Sequence, residues 1–191
     1  MSSFVEMFCF MFLYLIGVCN CQGPVEAEFV LNFDSGVYVC PDDASQSFMD
    51  TSAVEVERYN ESTSYMTGSI QFHQGLDQAT MVEIIVEKEI SGRYEMVVSH
   101  EICDMCKEIG NEASLYAKYL SYFGFPTQCP FPPGPYSVQN LKADSDDLPV
   151  NAATAGRYQV TINMFYNPDG TCKNMKRFMG CAKLDFIIEQ L

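Results

Sequence analysis

Cys103 and Cys106 form a C-x-x-C pair in the segment Cys103-Asp104-Met105-Cys106. A pair of this spacing is redox-active in cytosolic proteins that show a strand-helix-strand pattern, and it can also supply two zinc ligands. No strand-helix-strand pattern surrounds this pair. Two cysteines that lie one helical turn apart can each bond a different loop, so we interpret them as structural disulfide cysteines.

His100 follows Ser99 and lies three residues before Cys103, an arrangement that suggests a nucleophile with a nearby base. A catalytic cysteine requires a free thiolate, which disulfide bonding removes, and the chain contains no G-x-S-x-G motif. The acidic residues within 144–147 could bind calcium but lack the loop pattern of an EF-hand. The sequence therefore predicts a protein that is not an enzyme, with no catalytic residue, no metal site and no cofactor.

The first part of the chain has the character of a targeting segment. An uninterrupted apolar run covers residues 8–18, which is shorter than the roughly 20 residues that a membrane-spanning helix needs. We interpret residues 1–22 as a cleaved secretory signal, although no basic residue precedes Arg58. A buried N-terminal segment and an uncleaved anchor are the alternatives. Secretion is then expected, with the lysosome as the alternative location, and Asn60 lies in a candidate N-glycosylation sequon.

Three of the nine cysteines lie within residues 1–22, which leaves six. An even number of cysteines in an oxidising compartment predicts three disulfides, and spacing alone leaves the pairing open. The six are Cys40, Cys103, Cys106, Cys129, Cys172 and Cys181.

Composition and alternation predict one folded domain, residues 23–191, built mainly from β-strands. Apolar residues make up 48% of the chain, and the net charge of −14 disfavours nucleic acid and anionic membranes as partners. Apolar and polar residues alternate as in half-buried strands. The predicted strands cover residues 29–33, 54–59, 65–73, 80–89, 94–98, 136–138, 158–164 and 184–188, and residues 40–51 are predicted as a loop.

The period changes between Ile102 and Phe123, where apolar residues recur at helical spacing. This predicts one amphipathic helix, with a break near Gly110-Asn111 as the alternative. Gly124 and Pro126 end it, and a proline-rich corner follows at residues 129–136.

Several segments between residues 80 and 188 resemble the ML lipid-recognition superfamily, whose members include ganglioside-activator-like proteins and the insect CheB chemosensory proteins. The segments are residues 82–92, Cys129-Pro130-Phe131 with Gly134 and Tyr136-Ser137, Leu148-Pro149, Gly156-Arg157-Tyr158 and Gly180-Cys181-Ala182-Lys183. The resemblance implies an antiparallel β-sandwich or open cup that encloses an apolar cavity, with one amphipathic helix covering a side. It also implies a non-enzymatic protein that binds a single lipid-like molecule.

The resemblance suggests two disulfides, Cys40–Cys181 and Cys106–Cys129, with Cys106 slightly preferred over Cys103 as the partner of Cys129. Cys103 would then be left for Cys172, which has no obvious counterpart in the family. The loop after Leu148-Pro149 also lacks the tryptophan that suits the lysosomal member to membrane contact. This difference favours a chemosensory carrier over a lysosomal lipid-extracting role.

The apolar side chains that alternate inward along the strands are the candidate ligand-binding residues. A stripe of this kind is usually core, and only the resemblance favours a pocket. The candidates are Ile70, Phe72, Ile84, Val86, Met96, Val98, Tyr158, Val160, Ile162, Met164 and Phe186, with Leu148, Pro149 and Val150 as the cavity rim. The rim lacks basic residues, which disfavours an acidic head group.

The function expected from these features is non-covalent sequestration of a small hydrophobic ligand, such as an acyl or terpenoid-like chain of about a dozen carbons. One role is a chemosensory carrier of a pheromone or other semiochemical, which would meet a receptor. The alternative is a glycolipid-transfer cofactor for a lysosomal hydrolase. A second alternative is a secreted interaction module whose core is filled and whose surface is the working part.

Overall fold

The computed structural model describes residues 28–109, 111–114, 116, 120–142, 150–173 and 176–191. The predicted signal peptide, the acidic residues within 144–147 and the rim residues Leu148 and Pro149 lie outside these ranges. Nine strands and two short helices are defined within them. In chain order they are β1 (Phe29–Phe33), β2 (Tyr38–Val39), α1 (Asp43–Phe48), β3 (Met49–Asn60), β4 (Thr63–Phe72), β5 (Thr80–Ile90), β6 (Arg93–Ile102), α2 (Met105–Glu108), β7 (Gly134–Lys142), β8 (Gly156–Tyr166) and β9 (Arg177–Gln190).

The strands form two antiparallel sheets. The larger has the order β1-β9-β8-β5-β6, with β2 also paired to β9, and the smaller has the order β3-β4-β7. Buried residues of both sheets, such as Met66 and Val138 of the smaller and Val82 and Met164 of the larger, belong to one core cluster. The prediction of a mainly β, antiparallel sandwich is therefore confirmed.

Strand register places the inward residues of the larger sheet side by side. Ile84 of β5 is opposite Ile162 of β8, which is opposite Ala182 of β9. Because successive side chains of a strand point to opposite faces, the residues two positions away continue the same inward face. The apolar residues of the alternating pattern therefore form the face of the larger sheet that packs on the smaller sheet.

The predicted loop at residues 40–51 is wrong, because α1 and the start of β3 lie there. Asp42 caps the helix by accepting hydrogen bonds from the Ser45 amide at 2.9 Å and the Ser45 hydroxyl at 2.7 Å. Phe48 at the helix end is fully buried, and an added Cβ at Gly180 would lie 2.8 Å from its ring. Six residues are too few for a helical period to show in the sequence.

The helix predicted between Ile102 and Phe123 is interrupted, in agreement with the alternative of a break near Gly110-Asn111. Helix α2 ends at Glu108, and the following Ile109 is extended, with φ −74° and ψ 124°. The Asn111 side chain then accepts a hydrogen bond from the Ala113 amide at 3.1 Å. An asparagine that bonds to its own backbone two residues on favours a turn over a helix.

Three disulfides join Cys40 to Cys181, Cys103 to Cys172 and Cys106 to Cys129. These are the pairs expected above. Cys106 and Cys129 tie α2 to the proline-rich corner, where the Cys129-Pro130 peptide is cis. Such a set of disulfides is compatible with an extracellular protein.

The corner after Cys129 is held against the sandwich by Phe131. Phe131 is buried, its backbone pairs with Leu76 at 2.7 and 3.0 Å, and its ring stacks on Phe125 with 5.5 Å between centroids. The Tyr136 hydroxyl donates to the Pro132 carbonyl at 2.6 Å at the start of β7. The corner therefore fixes the segment that precedes it, residues 120–125, against the larger core cluster.

Candidate ligand cavity

A cavity of about 170 Å³ lies between the two sheets. Five of the eleven predicted ligand-binding residues line it: Ile70, Phe72, Ile84, Ile162 and Met164. They come from β4 of the smaller sheet and from β5 and β8 of the larger. The structure thus brings together side chains that are up to 94 positions apart, from Ile70 to Met164.

Most of the other lining residues come from outside those strands. All the other lining residues are Val37, Met49, Val82, Ile102, Met105, Glu108, Tyr116, Leu120, Phe123, Phe125 and Ala182. The signal that could have identified several of them is the helical spacing between Ile102 and Phe123. An amphipathic segment predicted to cover a β-cup must direct its apolar face at the cup, although the helix itself is interrupted.

Tyr158, Phe186 and Val86 lie away from the cavity, in a second apolar cluster with Leu31 and Ile188. The rings of Tyr158 and Phe186 stack with centroids 4.9 Å apart. The same inward face of the larger sheet therefore has two parts, one lining the cavity and one packed.

The rim residue Val150 packs against that second cluster. The Tyr158 hydroxyl donates to the Thr154 carbonyl at 2.6 Å, and Lys88 Nζ lies 5.3 Å from the centre of the Tyr158 ring. The described end of the predicted rim loop is therefore anchored over Tyr158. Val160 is half-buried between Val86 and Leu184 in register and lies outside the cavity lining.

Met96 and Val98 lie on the edge strand β6 and are exposed, at 67% and 52%. Val98 is opposite Val86, but Met96 is opposite Glu87, so the ladder contains a bulge between them. A bulge inserts one extra residue and reverses the alternation beyond it. Met96 therefore lies on the face opposite to Val98, and the structure places both outside the cavity.

Among the described residues that line the cavity, Glu108 is the one with a charge. Its Oε2 accepts a short hydrogen bond from the Ser114 hydroxyl. Burial, and secondarily the negative charge of Glu108, raise the pKa of Tyr116, so that phenol stays neutral.

The exposed ring of His100 lies 5.5 Å from that of Tyr116, and the neighbouring Cys103 is disulfide-bonded rather than a free thiol.

A second, outer pocket of about 190 Å³ adjoins the cavity. Glu108, Leu120 and Phe125 line both spaces. Its other lining residues are more polar and include Asn111, Glu112 and Thr127. The two spaces therefore share a boundary that is made of the side chains of these three residues.

The opposite face of the larger sheet carries a polar network that the sequence did not indicate. The Tyr38 hydroxyl donates to Asp185 at 2.9 Å and accepts from Gln159 at 3.0 Å, and Lys183 donates to Gln159 at 2.7 Å. Burial, with the bond to Asp185 second, raises the pKa of Tyr38 to about 12. These groups satisfy one another across β2, β8 and β9 and line neither of the two pockets.

Two further features concern the surface of the described residues. Asn60 is exposed at the turn between β3 and β4, where its side-chain oxygen accepts from the Ser62 amide at 2.9 Å. The part of the chain that the structure describes contains no group of three or more His, Cys, Asp or Glu side chains that could hold a metal ion. No helix among the described elements is both long and apolar enough to span a membrane.

One protein family matches part of the chain. Residues 82–160, from β5 into β8, match the family described as a protein of unknown function, DUF1091. A search of curated proteins finds no match. Among solved structures, the chain is similar to the C-terminal domain of wzt, with 10% identity, 85% of this chain and 77% of that chain covered, and a TM-score of 0.29. The chain is thus similar, over less than half its length, to a family whose function is unknown.

Proposed function

We propose that this chain is a secreted, non-catalytic carrier of the ML type that holds one small hydrophobic ligand between its two sheets. The observation that carries the proposal is the cavity itself. Its lining surface is apolar, and it is formed by both sheets together with α2 and residues 116, 120, 123 and 125. Concave, mostly apolar spaces with few polar groups are the usual form of small-molecule sites.

The size of the cavity limits the ligand. An apolar cavity of about 150 Å³ holds benzene, so 170 Å³ accommodates about six carbon atoms. At about 0.8 kcal/mol for each buried methylene, such a group contributes about 5 kcal/mol, which only matches the low end of the cost of association. A chain of about a dozen carbons would have to extend beyond the cavity, for example into the outer pocket.

Among the carrier roles, the small cavity favours a chemosensory carrier of a semiochemical. Two acyl chains of a glycolipid would need several times the volume of the space between the sheets. The net charge of −14 also disfavours extraction of lipid from an anionic membrane. The glycolipid-transfer cofactor for a lysosomal hydrolase is therefore the second candidate within this class.

The test compares two neighbouring isoleucines of β5. Ile84 lines the cavity, whereas Ile85 is also half-buried but points to the opposite face of the sheet. The neutral fluorescent probe N-phenyl-1-naphthylamine, which is larger than the cavity and would extend into the outer pocket, is titrated into the purified protein. We expect saturable binding that Ile84→Phe weakens at least tenfold by filling the cavity and that Ile85→Phe leaves nearly unchanged.

Two results would contradict the proposal. Equal binding by both variants would place the probe elsewhere on the protein. Absence of binding by the wild type, together with no lipid in an organic extract analysed by mass spectrometry, would support the interaction module with a filled core.

A further inference from the structure

We propose that the ligand carries a primary ammonium group at its polar end, and that Glu108 binds this group where the cavity and the outer pocket meet. The inference rests on the proposed carrier function and specifies the chemical class of its ligand, an amphiphilic amine with an apolar chain of about six carbons. Because burial of an unpaired charge in an apolar space is unfavourable, the charged end of such a ligand must lie at the edge of the cavity.

The position of Glu108 is the first argument. It is half-buried at the end of α2, and it lines both spaces together with Leu120 and Phe125. A chain of about six carbons that fills the cavity would therefore have its polar end near this carboxylate. The outer pocket is open to solvent and has polar residues such as Thr127 in its lining, which leaves the head group in contact with water.

The hydrogen bonding of Glu108 is the second argument. Its Oε2 accepts from Ser114, which leaves Oε1 without a side-chain partner among the described residues. Lys107, the adjacent basic residue, is directed to Asp104 at 3.0 Å instead. A half-buried carboxylate oxygen with remaining acceptor capacity is complementary to an N–H or O–H donor of a ligand.

The sign of the local charge is the third argument, and it favours an ammonium group over a hydroxyl. Tyr116, beside Glu108, stays neutral because burial, and secondarily the carboxylate, raise its pKa, so it leaves the negative charge at this place to Glu108. Glu112 adds a second carboxylate to the outer pocket. The net charge of −14 also raises the local concentration of cations near the protein.

The experiment uses three probes with the same six-carbon chain: n-hexylamine, 1-hexanol and hexanoate. Each is titrated by displacement of N-phenyl-1-naphthylamine at low ionic strength. We expect hexylamine to bind about tenfold more tightly than hexanol, and hexanoate to bind most weakly, because a charge-assisted bond exceeds a neutral one by about that factor. Added salt should reduce the preference for the amine.

Glu108→Gln removes the charge and preserves the shape of the side chain. It should lower hexylamine affinity about tenfold and leave hexanol binding unchanged, which also shows that the cavity is intact. Glu95→Gln is the matched control, because it makes the same change in net charge on the exposed face of β6, away from both pockets.

The outcomes separate the two proposals. If hexanol and hexylamine bind the wild type equally, or if Glu95→Gln weakens amine binding as much as Glu108→Gln, the assignment to Glu108 is overturned while the carrier function stands. If the wild type binds neither the naphthylamine probe nor any six-carbon probe, the carrier function fails and this inference fails with it.

Discussion

The Ser45 hydroxyl accepts a hydrogen bond from the backbone amide of Cys181 at 2.8 Å, and both residues are buried. The same hydroxyl donates to Asp42 at 2.7 Å. One side chain therefore links the cap of α1 to a central strand of the larger sheet, beside the disulfide between Cys40 and Cys181. It holds in place the helix end from which β3 begins, and Met49 of β3 lines the cavity.

Replacement of Ser45 by alanine should destabilise the protein by about 1–3 kcal/mol, because the buried Cys181 amide loses its acceptor. The free energy of unfolding, measured by urea titration, checks this expectation. Ser47→Ala is the control, since Ser47 is exposed on the same helix and should change stability by less than about 0.5 kcal/mol. Equal effects of the two substitutions would show that the hydroxyl–amide bond contributes nothing of its own.

The capping carboxylate should make stability depend on acid pH. The pKa of Asp42 is lowered from its usual value of 3.8, first by the hydrogen bond from the Ser45 side chain and then by the Ser45 amide. A lowered pKa in the folded state gives stability that is present above 3.8 and lost as pH falls through the folded-state value.

Asp42→Asn provides the comparison, because asparagine also caps helices but does not titrate. We expect the wild type to lose more stability than this variant as the pH is lowered below 3.8, in urea titrations at several pH values. Asp50, whose pKa is also lowered, is present in both proteins and cancels in the difference. Parallel pH profiles would contradict the prediction.

Loss of the disulfide between Cys106 and Cys129 should weaken ligand binding as well as lower the free energy of unfolding. The double substitution Cys106→Ser, Cys129→Ser opens a loop with a separation of 23 residues and should lower stability by about 3 kcal/mol. Because residues 120–125 are tied down within this loop, we also expect affinity for N-phenyl-1-naphthylamine to fall several-fold.

The matched control is Cys103→Ser, Cys172→Ser, which opens a longer loop with a separation of 69 residues and should lower stability by about 4 kcal/mol. Cys172 lies between β8 and β9, and neither cysteine lines the cavity. This variant should therefore be the less stable of the two and the better binder. The reverse order in affinity would show that the covering segment does not depend on Cys106.

The strands could be predicted from the sequence because alternation reports burial directly. A period of two places Ile162 and Met164 on the inward face, the resemblance implies that this face lines a cavity, and both residues line the cavity in the structure. The same reasoning could not separate them from Tyr158, which shares their face but packs against Phe186. Alternation identifies a face, whereas the position of the opposing sheet decides which part of that face is packed.

The remaining differences have local physical causes. The bulge opposite Val86 reverses the pattern along β6, which no alternation count reveals, and so Met96 lies on the face opposite to Val98. Glu108 could not be identified as a candidate, because a lone charged residue in an amphipathic segment is usually solvated. What distinguishes Glu108 from a solvated surface residue is that it lines both pockets.

The placement of β9 in the sheet has a consequence for the order of folding during synthesis. β9 follows the eight other described strands in the chain, yet it lies between β1 and β8 and also pairs with β2. The partner of strands β1 and β2 is more than 130 residues away in the chain; Asn32, for example, pairs with Ile187. The edges of β1 and β2 therefore stay unpaired until β9 has been synthesised. Unpaired edges of this kind promote aggregation, so the nascent chain should depend on chaperones until β9 emerges from the ribosome.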